Sequence, residues 1–222
     1  MALNFKLDSI SSRYLALAVL ILLMMAAGSS SATSPCVNGR CMVEVSTSPQ
    51  ALPCGIAIAF LALFWPRSGT KKGTEHPVVI LRRIGAFFFD FMVVLYALTP
   101  LLNMAMLAVE AEATGSFAWS FSRDYSRPSD AQLMFPGIFL IQFLLILYFY
   151  LHMALNHQTI GKYIFGYTID PVEGKQPSYV AATILSVIGM GIWPISLGLA
   201  LRRQDKAFLW DRSSNTKAVR VI

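Results

Sequence analysis

The apolar run Leu81–Leu107, LRRIGAFFFDFMVVLYALTPLLNMAML, constrains this chain more than any other feature. It is longer than the roughly 20 residues that cross a bilayer as a helix. It opens on Arg82–Arg83 and holds one carboxylate, Asp90, among its apolar residues. An Asp at the middle of a spanning helix opposes insertion by about 2.5–3.5 kcal/mol. The other acidic residues all fall outside the apolar runs, so Asp90 asks for a role. At about 100° per residue, Arg83 and Asp90 stand two turns apart on one line of the helix, with Ala86 between them. A cation at the membrane edge therefore overlies an anion roughly 10 Å deeper. A structural role would be a packing face whose Asp is neutralised by a partner. A functional role, a site for an ion or polar substrate, is the default for an intramembrane ionisable residue.

Composition places the rest of the chain in the same environment. The 222 residues are 55% hydrophobic and 14% charged, against about 25% charged in soluble domains. The formal charge of +6 could suggest nucleic acid, but the basic residues are not arranged for it. Of eighteen Lys and Arg, all but Arg40, Arg123 and Arg127 lie at the N-terminus or within residues 66–83, 156–178 and 202–222. Those segments share one side of a multi-spanning chain, as the positive-inside rule expects. No basic stripe with interleaved aromatics remains for a phosphate backbone, so no nucleic-acid partner is expected; the expected surroundings are the lipid bilayer.

Along the chain, Tyr14–Ala27 follows a short lead with Lys6, Asp8 and Arg13, and ends in small residues. It fits a cleaved signal peptide or a signal anchor. Either puts the next loop outside the cytoplasm, where Cys36 and Cys41, flanking an Asn38–Gly39 turn signal, are expected to form a local disulfide. Ala51–Trp65 reads as a second span and Pro66–Pro77 as a basic, Gly-containing linker that separates an N-terminal extension, 1–77, from a membrane domain, 78–222. Glu110–Gln132 reads as an external loop with aromatics at the headgroup level. Leu133–Leu155 is a further span, on which Tyr148 and His152 share one face, i and i+4, at the depth of Asp90.

Gly161 and Gly166 frame a short amphipathic piece, and TIDPVEGKQP reads as a β-turn excursion. Tyr179–Leu201 is apolar but interrupted by Gly189, Gly191, Pro194 and Gly198, which suits a broken helix or helical hairpin. A hairpin keeps the tail, with six basic residues from Arg202 on, on the cytoplasmic side. After Asp211–Arg212 comes a polar turn and an extended VRVI. The expected fold class is an all-α membrane protein, a polytopic helical bundle of about four spans plus the broken C-terminal segment.

Three stretches, in order, resemble the RDD family of bacterial membrane proteins: RRIGAFFFD at Arg82–Asp90, QTIGKYIFGYTID at Gln158–Asp170, and LWDRSSNTKAVRV near the C-terminus. The resemblance covers about residues 78–222. It implies that the arginine of the family's name is Arg83 and its aspartates Asp90 and Asp211. The chain departs from the family at Ser213–Asn215, SSN, where the family usually has a small-residue, LAG-like turn. The resemblance implies a plasma-membrane location and suggests a transport role, including cation/proton exchange.

Enzyme signatures are missing: HExxH, GxSxG, a complete phosphate loop and a His/Cys cluster at metal spacing do not occur. No enzyme activity, cofactor or metal is expected. Two readings remain. In one, a small transporter, homo-oligomeric or with a partner subunit, uses Asp90 as its exchanging group. Arg83, Tyr148, His152, Asp211 and Arg212 then complete the site and its mouth. In the other, a non-transporting scaffold or accessory subunit uses Arg83, Asp90 and Asp211 as a buried polar lock.

Overall fold

The computed structural model describes residues 9–33, 36–37, 40–64, 74–124, 158–178, 180–182, 184–186, 193–202 and 207–220, with positions 140, 143–144, 147–148 and 152. Helices dominate: α1 (Ser9–Ala27), α2 (Ala51–Phe64), α3 (Ile80–Thr114), α4 (Ile160–Phe165), α5 (Trp193–Arg202) and α6 (Leu209–Ser213). The described positions from 140 to 152 are helical as well. Among the described residues one helix, α3, is long and apolar enough to cross a membrane. Its 35 residues would reach about 50 Å at 1.5 Å each, beyond the roughly 30 Å of a hydrocarbon core. Most of the expected span Leu133–Leu155, and Gly189 and Gly191 of the broken segment, lie outside the described residues.

The fold is mostly helical, as expected, but seven strands accompany the helices among the described residues. They are β1 (Ser31–Thr33), β2 (Cys36–Val37), β3 (Arg40–Ser46), β4 (Thr74–Pro77), β5 (Ser120–Asp124), β6 (Tyr167–Pro171) and β7 (Thr216–Arg220). They arise where the sequence suggests loops. Short alternating pieces such as RCMVEVS and TKAVR are too brief for a spanning helix, yet their backbone groups still need partners.

The chain packs as two compact units. The first combines residues 1–64 with 92–143. In it β3 pairs antiparallel with β1, β2 and β5. Thus the N-terminal loop and the segment after α3 share one sheet. Cys36 stands opposite Cys41 across the β2–β3 pair, while the expected disulfide itself, and the Asn38–Gly39 turn, lie outside the described residues. Val45 is buried against Leu107, Met106 and Phe121. Asn103, buried within α3, donates from its amide to Ser30 Oγ (2.8 Å), to the Ser31 carbonyl (3.0 Å) and to the Ser46 carbonyl (3.3 Å). One polar residue of an apolar helix thereby holds the edges of β1 and β3. Gly55 on α2 approaches α3 closely, since a Cβ there would lie 2.9 Å from the Ala97 carbonyl oxygen and 3.1 Å from Pro100. Small residues at such a contact let helices without a hydrophobic drive between them gain dispersion.

The second unit combines residues 65–91 with 144–222. Its sheet has the order β4-β7-β6, all antiparallel. The first turns of α3 lie on this unit: Val78, Ala86 and Tyr167 form one apolar cluster, and Ile80, Ala200 and Phe208 another. Val219 and Arg220 of the expected extended VRVI fall in β7, with Val221 and Ile222 outside the described residues, and the β-turn excursion expected near residue 170 begins as the paired strand β6.

Candidate functional site

α3 delivers Arg83 and Asp90 into the second unit, but to different partners. Arg83 is buried and forks onto Asp211: its Nη1 and Nη2 each lie 2.7 Å from a different carboxylate oxygen. Its guanidinium also rests on the Phe208 ring, 4.5 Å from the centroid. Planar bidentate pairing and stacking are what a guanidinium does and an ammonium does not. Asp211 stands three residues after Phe208, the residue that precedes α6, and its Oδ2 accepts the Phe208 N–H at 2.9 Å. That bond satisfies a donor which the start of α6 would otherwise leave open. The pair thus closes a contact between residues 128 apart in sequence.

Asp90 is fully buried, and its carboxylate serves as a cap for α4. Three N–H groups open that helix. Lys162 N–H is accepted by Thr159 Oγ1 (3.3 Å), Gly161 N–H by Asp90 Oδ1 (2.7 Å), and Ile160 N–H by the Tyr148 hydroxyl (3.3 Å). Thr159 in turn donates its hydroxyl to Asp90 Oδ2 at 2.6 Å, and Tyr148 donates to Asp90 Oδ1 at 3.3 Å. A helix N-terminus offers unpaired N–H groups and a positive dipole end, so an anion brought from another helix fits there. Gly161 is what allows the approach. A Cβ at that position would collide with the Ala86 carbonyl oxygen and lie 2.8 Å from Asp90 Cγ.

Tyr148 and His152, expected on one face, are both buried, and their rings lie 4.5 Å apart. Tyr148 reaches Asp90, as its depth suggests. His152 Nδ1 faces the Tyr148 carbonyl oxygen at 2.9 Å. A carbonyl only accepts, so that nitrogen carries the proton and the imidazole supports Tyr148. Arg212, next to Asp211, is exposed.

Reading the sequence missed Thr159, Gly161 and Lys162 as parts of the site. The signal was present, since a Thr followed by Ile-Gly-Lys is an ordinary helix start. Nothing in it says whose carboxylate completes the cap. Lys162 is buried beside these groups. Burial pushes its ammonium pKa down to about 8; Asp90 opposes that shift, Arg83 adds to it and Asp211 opposes it. Arg83, Asp90, Lys162 and Asp211 together line a cavity of about 50 Å³, room for a few water molecules. Among the described residues, no three His, Cys, Asp or Glu gather as a metal site.

No curated protein and no solved structure matches the chain. The family comparison does, and its matched region contains Arg83, Asp90, Lys162 and Asp211, which line one cavity, and Thr159, which bonds Asp90. Residues 77–215, more than half of the chain, match the model of the RDD family, and the protein belongs to that family.

Proposed function

We propose that this membrane protein is a small multi-pass transporter that exchanges protons for a cation or another polar solute, with Asp90 as the exchanging group. The observation that carries the reading is the shared cavity. A carboxylate and an ammonium, Asp90 and Lys162, open on one space with room for a few water molecules beside the Arg83–Asp211 pair. Buried ionisable groups around such a space suit a relay in which one proton or ion displaces another. Lys162 contributes a second group whose charge changes near neutral pH. Arg83 and Asp211, held by each other, supply a fixed charge pair at the side. We place the protein in a bacterial plasma membrane, with its basic C-terminal tail in the cytoplasm, as a homo-oligomer or with a partner subunit.

A second reading, a non-transporting scaffold or accessory subunit, is favoured by the number of donors on Asp90. The carboxylate accepts three hydrogen bonds, as a buried polar lock requires.

Flux into proteoliposomes of the purified chain, under an imposed pH or sodium gradient, separates the two. Under the transport reading the wild type passes ions, while Asp90→Asn folds, inserts and passes none. Vesicles of wild type that stay tight under both gradients, together with a large loss of heat stability in Asp90→Asn, leave the lock.

A further inference from the structure

The Arg83–Asp211 pair also lines a second and larger cleft, of about 380 Å³. Lys175, Arg212 and Lys217, all exposed, stand on its walls. Among the described residues the one carboxylate that lines it is Asp211, which Arg83 engages. Of the nearby acids that do not line it, Asp170 is the cross-strand partner of Lys217, and Glu173 is exposed in the turn after β6.

These walls are held in place from below. Asn215 is the one residue other than glycine with a positive φ, 55°, among the described residues. Its carbonyl accepts the Val172 N–H at 3.0 Å, and its side-chain amide donates to the Gln176 carbonyl at 3.1 Å. Ser178 N–H bonds the Ser214 carbonyl at 2.9 Å. The turn that carries Lys175 is thereby fastened to the turn that follows Arg212. Asn tolerates the left-handed conformation and, unlike glycine, offers the extra amide bond.

Lys175, Arg212 and Lys217 place three cationic side chains around one concavity, and the positive potential of such a wall draws an anion. We propose that this cleft binds a phosphate-bearing anion, a monoester or diester whose oxygens are shared by Lys175, Arg212 and Lys217. The guanidinium fork matches two phosphate oxygens, and the lysines add point charges around them. The volume admits a phosphate with a small organic substituent. Such a group could come from the headgroup of an anionic lipid or from a soluble phosphate ester. The site does not depend on the transport reading, because Asp90 and Lys162 do not line it.

The test uses the purified full chain with two probes. Native mass spectrometry after reconstitution in mixed phosphatidylcholine and phosphatidylglycerol reads retained anionic lipid. Heat denaturation in neutral detergent against glycerol 3-phosphate reads the soluble ester. Retained phosphatidylglycerol without a response to glycerol 3-phosphate assigns the lipid, and the reverse assigns the soluble ester. The triple variant Lys175→Gln, Arg212→Gln, Lys217→Gln should bind on the order of a hundredfold more weakly. The variant Lys175→Arg, Lys217→Arg should bind like wild type. Should the triple variant fail to fold, Lys175→Gln alone, in an exposed turn, is expected to weaken binding about fivefold. No binding of either probe, or equal binding by wild type and the charge-removed variants, overturns the proposal.

Discussion

Gly161 N–H donates to Asp90 Oδ1 at 2.7 Å, and the glycine's missing side chain is the space that lets the two backbones meet. The Asp90 carboxylate and the short helix α4 therefore stand or fall together. A change at either one is felt by the other.

Gly161→Ala should lower stability by about 1–3 kcal/mol, the usual effect of forcing atoms into a packed contact. The new Cβ displaces either the Ala86 carbonyl or the Asp90 carboxyl. Heat denaturation of the purified protein in detergent checks this. An unchanged transition would mean that α4 moves freely against α3, contrary to the cap.

Arg83 and Asp211 should couple strongly in a double-mutant cycle. Arg83→Gln or Asp211→Asn alone leaves an unpaired buried charge, which costs about 3–5 kcal/mol. The double variant should recover a good part of that loss. The same cycle between Arg83 and Asp90 should show the smaller coupling, because the Arg83 fork is spent on Asp211. Equal coupling in the two cycles would contradict the pairing.

Lys162 makes stability depend on pH. Its folded pKa, about 8, lies below the ordinary lysine value of 10.5, so the unfolded chain binds more protons between those values. The penalty is complete below about pH 8 and is relieved as pH rises towards 10.5. The wild type should gain heat stability from pH 7.5 to 9.5, and Lys162→Met should lose that component of the slope. A Lys162→Met profile parallel to wild type would show that another group titrates there.

Asn103→Leu should loosen the first unit without touching the Asp90 network. The change removes three acceptor contacts from Ser30, Ser31 and Ser46. Ser30 and Ser46 are half-buried and Ser31 is exposed, so the loss should be about 1 kcal/mol. Hydrogen exchange should quicken at β1 and β3 while α4 keeps its protection. Equal loss of protection at both places would refute the local role of Asn103.

Much of the site was legible in the chain itself. A lone carboxylate in an apolar run is conspicuous because lipid offers it no solvation, and seven residues are two helical turns, so Arg83 and Asp90 had to share a face. The i, i+4 spacing of Tyr148 and His152 set their common face in the same way. Periodicity encodes only what one element presents, however, and it is silent on what meets that face. Asp90 and Gly161 are 71 residues apart, and Arg83 and Asp211 are 128. Only the tertiary fold decided that Arg83 passes over the carboxylate on its own helix to grip Asp211. It likewise decided that Asp90 closes the open end of α4. The physical reason is that a buried charge takes whichever complementary group packing brings into the low-dielectric interior. Packing joins segments that no local pattern relates.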